Sequence, residues 1–259
     1  MSEIAALLQV MARLRDPEHG CPWDREQTYA SVVPHTLEEA YEVADAIERG
    51  DLDHLREELG DLLFQVVFYA QIASEQGLFD FADVARGITD KMIRRHPHVF
   101  GDAKFRDRAE HSAAWEQIKA EEGGGRPPRV LAGVPLALPA LTRALKLQKK
   151  AARVGFDWGS LGPVLDKIDE ELREIRAEVE CDATPERLAD ELGDVLFAVA
   201  NLARHLGVDP EAALRGTNAK FERRFAHVED RLAAAGQLPE QAGLAAMDAL
   251  WDEAKRRGL

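Results

Sequence analysis

The sequence predicts an all-α protein made of two tandem helical-bundle domains. Three observations predict it. The octet Asp190–Phe197 (DELGDVLF) repeats Glu57–Phe64 (EELGDLLF), and each octet follows an acidic segment, Glu38–Glu42 in the first case and Glu170–Glu174 in the second. Apolar residues recur at helical spacing through most of the chain. No strand signal of comparable strength occurs anywhere in the 259 residues.

Taken in order, Ile4, Leu7, Leu8, Met11 and Leu14 give an amphipathic helix that stops at Asp16-Pro17, and Gly20–Asp24 reads as a loop. Thr36 and Glu39 have the spacing of a capping box, which starts a second helix running to about Arg49. That reading gives Glu39 a purely structural alternative role. Gly50-Asp51 makes a turn into a helix from Leu52 to about Ser74, whose stretch Leu62–Ala73 is apolar almost all round and so belongs in the middle of a bundle. A further helix spans Phe81–Arg95 and ends before Pro97, and Ala113–Glu122 closes the first half. Three glycines and two prolines between Gly123 and Pro128 suit neither helix nor strand. The predicted division is therefore a domain over 1–122, a linker over 123–136 and a second domain over 137–259.

In the second half a helix is expected from Leu138 to Val154, then one with Leu165, Ile168, Leu172, Ile175 and Val179 as its apolar stripe. Asp182–Pro185 turns the chain into a helix from Glu186 to about Leu206, Gly207 ends it, and another runs from about Pro210 to Ala235. Short turns make antiparallel neighbours. The order of motifs is the same in both halves. Lys91–His96 (KMIRRH) matches Lys220–Phe225 (KFERRF), and Trp115–Lys119 (WEQIK) matches Trp251–Lys255 (WDEAK).

Composition narrows the function classes. The formal net charge of -14 argues against a nucleic-acid polymer or an anionic membrane as partner, because both call for a basic surface. Cys21 and Cys181 are the only cysteines, too few for a disulfide framework or a thiolate zinc site. With no signal-peptide pattern and no apolar run of spanning length, the expectation is a soluble cytoplasmic protein.

The acids carry the chemistry. Glu171 and Glu174 lie three apart on one helix face, Glu191 and Asp194 do so on the next helix, and an antiparallel pair converges all four. Glu39, Glu42, Glu58 and Asp61 form the corresponding set in the first half. Unpaired buried carboxylates cost several kcal/mol each, and Gly193 gives up roughly 1 kcal/mol of helix propensity, so the pattern points to a cation. Four oxygen ligands without histidine suit Mg2+ or Mn2+ rather than zinc, copper or a di-iron centre. Mg2+ completes its shell with waters and phosphates, which points to a polyphosphate substrate. Lys220 and Arg224, four apart, can meet phosphate oxygens from one side. Trp115 and Trp251 fit core packing and a place beside a nucleotide base equally well.

Glu-Glu-x-x-Glu followed by Glu-x-x-Asp, twice in one chain with Lys-x-x-Arg-Arg after each, resembles the MazG family of nucleoside triphosphate pyrophosphohydrolases. So do Gly20–Asp24, Arg95–Phe100 and Lys150–Trp158. The resemblance implies an all-α, Mg2+-dependent homodimeric enzyme that cleaves NTPs to NMP and pyrophosphate in a housecleaning role. It implies metal ligands at Glu171, Glu174, Glu191 and Asp194. It places nucleotide contacts at Lys167, Glu170, Arg187, Asp190, Lys220, Arg224, Trp251 and Lys255. The competing expectations are a non-enzymatic helical nucleotide- or metal-binding module and a pyrophosphatase restricted to one (deoxy)nucleotide. The second half is expected to carry most of the turnover. Asn201 there stands where the first half has Phe68, and Lys167 stands where the first half has Pro34-His35.

Overall fold

The computed structural model describes residues 2–107, 110, 114, 115, 118 and 129–259, and among the described residues every regular element is a helix. The chain separates into two compact units, residues 1–125 and 126–259. The helix expected over Ala113–Glu122 lies mostly outside the described residues, as does the linker up to Pro128. From Arg129 the backbone runs in turns until Ala140.

The first unit holds α1 (Glu3–Leu14), α2 (Pro22–Glu26), α3 (Tyr29–Arg49), α4 (Leu52–Glu75), α5 (Phe81–Arg95) and α6 (Pro97–Phe100). Its centre is the α3/α4 hairpin, with α1 packed on α4. Gly50 closes α3 in the left-handed region at φ 69°, where a side chain would be strained, and Asp51 caps α4 by accepting from the His54 amide at 3.1 Å. Met11, Val32, Val67, Phe68 and Ile72 form the core. Arg15 pins this core to its loop. Its guanidinium makes two bonds to Glu75, at 2.8 and 2.7 Å, donates to the carbonyl of Asp24 and lies 5.3 Å from the Phe68 ring. Arg15 holds the Glu75 carboxyl below its usual pKa.

Two expectations are corrected here. The helix expected from Thr36 begins at Tyr29, because Thr28 and Ser31 form the reciprocal box, with Ser31 N donating to Thr28 Oγ1 at 3.2 Å and Thr28 N to Ser31 Oγ at 2.8 Å. Pro34 is carried inside that helix at the expense of one backbone bond. Thr36 is an interior residue whose hydroxyl donates to the Val32 carbonyl at 3.1 Å, so Glu39 has no capping duty. The Gly20–Asp24 loop also contains the start of α2, with Pro22 in its first turn. A Cβ on Gly20 would collide with the carbonyls of Leu14 and Asp16, so that close approach requires glycine.

The second unit holds α7 (Ala140–Ala152), α8 (Leu161–Glu180), α9 (Pro185–Leu206), α10 (Pro210–Ala234) and α11 (Pro239–Arg256), of which α11 was not foreseen as an element. α8 and α9 form the hairpin matching α3 and α4. α7 packs along α9, while α10 lies on α11 and touches α7. Gly207 ends α9 at φ 70°. Asp157 ties the preceding loop to α9 through Arg204 and through His205 Nε2 at 3.1 Å, and Arg204 holds the Asp157 carboxyl below its usual pKa.

The apolar stripes are not all interior. On α8 the buried residues are Val164 and Glu171, while Leu165, Leu172 and Val179 are exposed. On α9 Leu192, Leu196, Phe197 and Val199 are exposed, so the octet expected to be buried forms a surface of its unit. α4 fits its expectation better, since Gln65, Val67, Phe68, Ala70, Ile72 and Ala73 are buried, but Val66 is exposed.

Candidate metal and nucleotide site

The α8/α9 hairpin brings together Glu171, Glu191 and Asp194, with one carboxylate oxygen from each lying within 4.8 Å of the others. The i, i+3 spacing on α9 puts Glu191 and Asp194 on the side that faces α8. Glu171 is 5% exposed, Glu191 half-buried and Asp194 exposed, so the cluster is open on one side. Glu174 lies one turn along α8, outside this triple. Loss of water around it, and then the charge of Glu171, push its pKa up.

Lys167, one turn before the acids, places Nζ 2.6 Å from Glu170 Oε1 and 2.8 Å from Glu171 Oε1. These bonds raise the Lys167 pKa and lower that of Glu170. The other oxygen of Glu171, Oε2, is buried with no hydrogen-bond partner. An orphaned carboxylate oxygen among carboxylates is the arrangement a hard divalent cation satisfies, and the donor set fits Mg2+ or Mn2+.

The remaining predicted contacts lie elsewhere in the second unit. Arg187, on the first turns of α9, bonds to Glu178 near the end of α8, and Asp190 is exposed. On α10 and α11, Arg224 Nε donates to the Leu259 carbonyl at 2.7 Å, and its guanidinium lies 5.8 Å from the Trp251 ring. Trp251 in turn lies 5.1 Å from Phe221, and Lys255 pairs with Asp252 at 3.0 Å. Among the described residues neither α8 nor α9 packs along α10. The structure therefore unites Lys167 and the acids, gathers Arg224 with Trp251, and keeps the two groups on separate helix pairs.

The first unit repeats the cluster with Glu39, Glu58 and Asp61. The Glu39 pKa is raised by burial, then by Asp61 and Glu42, and that of Glu58 by loss of water and then by Glu42. The neighbours differ. His35 stands in the place of Lys167, 3.7 Å from Glu38, and His54 Nε2 lies 3.2 Å from Glu58 Oε1. Gln65 Nε2 reaches Glu39 Oε1 at 3.5 Å. Sequence reasoning missed His54 and Gln65, although the i, i+4 spacing of His54 and Glu58 was a usable signal.

One argued difference between the copies changes meaning. Phe68 fills the core as expected, but Asn201 is buried and its Oδ1 accepts from Arg204 Nε at 2.9 Å. Asn201 is thus joined through Oδ1 to the Arg204–Asp157 tie. In the first unit Trp115 stands 5.0 Å edge-on to His96 with the Arg95 guanidinium 5.5 Å from its ring, paralleling Trp251 and Arg224. No helix among the described residues is long and apolar enough to cross a membrane.

Comparison with known proteins agrees with the doubled site. The MazG nucleotide pyrophosphohydrolase domain matches residues 27–100 and again 163–229. A nucleoside triphosphate pyrophosphohydrolase of Escherichia coli (strain K12) is 53% identical over 261 residues, covering 100% of this chain and 99% of that protein. The nucleoside triphosphate pyrophosphohydrolase/pyrophosphatase MazG of Thermotoga maritima is 43% identical over 249 residues, 96% of this chain and 94% of its own length. An uncharacterized protein, YabN, of Bacillus subtilis is 45% identical over 253 residues, 98% of this chain but 52% of its own length. The all-α fold, the two carboxylate clusters on matching hairpins and these similarities show that the chain belongs to the MazG family, with the family's domain present twice in tandem.

Proposed function

We propose that the protein hydrolyses nucleoside triphosphates, ribo or deoxy, to the nucleoside monophosphate and pyrophosphate, using Mg2+ held by Glu171, Glu174, Glu191 and Asp194. Mn2+ can stand in for it. The observation that carries the reading is the buried, unpartnered Oε2 of Glu171 within the carboxylate triple. The names of the two long relatives support the substrate class.

When bound, the ion supplies charge neutralisation for the phosphates and activation of a water for attack at the α-phosphorus. The chain's own residues do the rest. Glu174, one turn along α8 from Glu171, would orient that water and take its proton through the carboxylate oxygen it does not give to the ion. Lys167 holds Glu171 through one oxygen and leaves the other for the ion. Lys220, Arg224 and Lys255 offset charge that grows on the departing pyrophosphate. Trp251, flanked by Arg224 and Phe221, gives a flat apolar face for the base. Glu170, Arg187 and Asp190 complete the nucleotide contacts, the second unit carries most of the turnover, and the protein acts in the cytoplasm as a homodimer that clears unwanted nucleotides.

The test is a screen of the canonical NTPs and dNTPs with Mg2+ that identifies products. NMP plus pyrophosphate is the expected result. NDP plus phosphate, or no hydrolysis despite Mg2+ binding, would replace this reading with another hydrolase or a non-enzymatic binding module, and turnover of a single nucleotide would narrow it to a dedicated pyrophosphatase.

A further inference from the structure

Arg224 is held by the segment that ends α11. Its Nε–H donates to the Leu259 carbonyl at 2.7 Å, and its guanidinium lies 5.8 Å from the ring of Trp251. Leu259 can reach back because the chain turns at Gly258, which stands in the left-handed region at φ 77°. The Gly258 amide donates to the Lys255 carbonyl at 3.0 Å and the Leu259 amide to the Ala254 carbonyl at 3.2 Å, the paired bonds that close a helix on a left-handed residue. A second set of contacts fastens the same turn to α10. Arg257 Nη1 lies 3.5 Å from Nδ1 of His227, which is buried, while Arg257 Nε and His227 Nε2 lie 3.8 and 3.3 Å from Glu253 Oε1. A Cβ on Gly258 would meet nothing within 4 Å, so glycine is favoured there by the backbone and not by lack of space.

We infer that the turn Arg257–Leu259 is a positioning element for the nucleotide site, fixing the Arg224 guanidinium before substrate arrives. The inference rests on the proposed function, in which Arg224 meets the leaving pyrophosphate, and adds Gly258 and the Leu259 carbonyl to it. A guanidinium is planar, so a bond to Nε and a ring beside its face together set the direction of the remaining edge. That edge carries Nη1 and Nη2, the parallel pair that can bind two oxygens of one phosphate. An arginine free to rotate would lose rotamer freedom at each binding event, and the turn removes that loss beforehand. Trp251 and Lys255 lie four apart on the helix that this turn ends. One segment therefore carries the ring offered to the base, one cation, and the acceptor that aims the other. In this role Gly258 and Leu259 act through Arg224 and touch no substrate themselves.

The test uses the full-length protein with Gly258→Pro, which cannot adopt a positive φ, and Gly258→Asn, which tolerates one. Arginine Nε–H resonances read the hold without turnover, the Arg224 signal being assigned by its loss in Arg224→Lys. That signal should exchange slowly with solvent in wild type and in Gly258→Asn, and quickly in Gly258→Pro. With Mg2+ and ATP, kcat/KM should fall about tenfold in Gly258→Pro, the order that loosening one long side chain can cause, and stay within about twofold of wild type in Gly258→Asn. A double-mutant cycle shows whether the effect passes through Arg224, because Gly258→Pro should cause no further fall once Arg224→Ala is present. An equal fall in both backgrounds would overturn the inference. So would wild-type kcat/KM in Gly258→Pro, or a Gly258→Asn enzyme as impaired as Gly258→Pro. If wild type hydrolyses no NTP, it is the proposed function that fails, and calorimetric titration with inorganic pyrophosphate and Mg2+ replaces the kinetics. Weaker binding in Gly258→Pro but not in Gly258→Asn then sustains the positioning role, and equal binding in wild type and both variants sinks it.

Discussion

Lys167 Nζ lies 2.8 Å from one oxygen of Glu171, while the other oxygen of the same carboxylate is buried with no partner. The lysine therefore neutralises Glu171 from one side in the chain without metal. Lys167→Met should lower metal-free stability by about 2 kcal/mol, since it strands a buried carboxylate. Saturating Mg2+ should shrink that loss, because the ion supplies the missing positive charge. Urea denaturation with chelator and with Mg2+ measures both, and an equal loss in the two conditions contradicts the shared role.

Glu174→Gln and Asp194→Asn should each lower Mg2+-dependent turnover by about two orders of magnitude or more, with helical content unchanged. A variant that keeps the wild-type rate removes its residue from the site.

The raised pKa of Glu174 means that its ionised form is disfavoured in the folded chain. Its contribution to stability is present below the ordinary value of 4.5 and is lost as pH rises through the higher folded value. In chelator, Glu174→Gln should thus melt above wild type at neutral pH, and the gap should close as pH falls toward 4.5. A gap that does not change with pH would mean that crowding of charge is not its cause.

Most helices and the acid clusters were legible in the sequence because their signals are local: spacing of three and four, Gly50 and Gly207 as stops, Pro97 as a breaker. The misplaced start of α3 came from a local signal too. Thr36 with Glu39 imitates a capping box, and only the Thr28–Ser31 pair together with the Thr36–Tyr69 hydroxyl contact at 2.9 Å shows the imitation. Periodicity defines the apolar face of α8 but not what covers it, so Leu165 and Leu172 read as core and proved exposed. The role of Asn201 was hidden for a related reason. Its partner Arg204 is only three residues away, yet the tie gains its meaning from Asp157, 47 residues distant in sequence.

With Asn201 Oδ1 engaged by Arg204, the expected dominance of the second copy rests mainly on Lys167 against His35. Glu42→Gln with Asp61→Asn in the full chain should keep most of the wild-type NTP turnover, whereas Glu174→Gln should not. Equal losses in the two, with both proteins folded, would assign catalysis to both copies.

Gly60 and Gly193 sit inside the acid-bearing turns of α4 and α9, and a methyl group placed on either would touch nothing within 4 Å. Each turn therefore lacks both side-chain support and the backbone stiffness of alanine, a deficit of about 1 kcal/mol. Amide hydrogens around Glu191–Asp194 should exchange with deuterium sooner than those farther along α9, where Ala198, Ala200 and Ala203 are buried. An ion bridging α8 and both ends of that turn would close the opening. The glycine thus makes the acid turn a local reporter, in which slower deuterium uptake on adding Mg2+ records metal arrival in each copy separately, without any substrate being turned over.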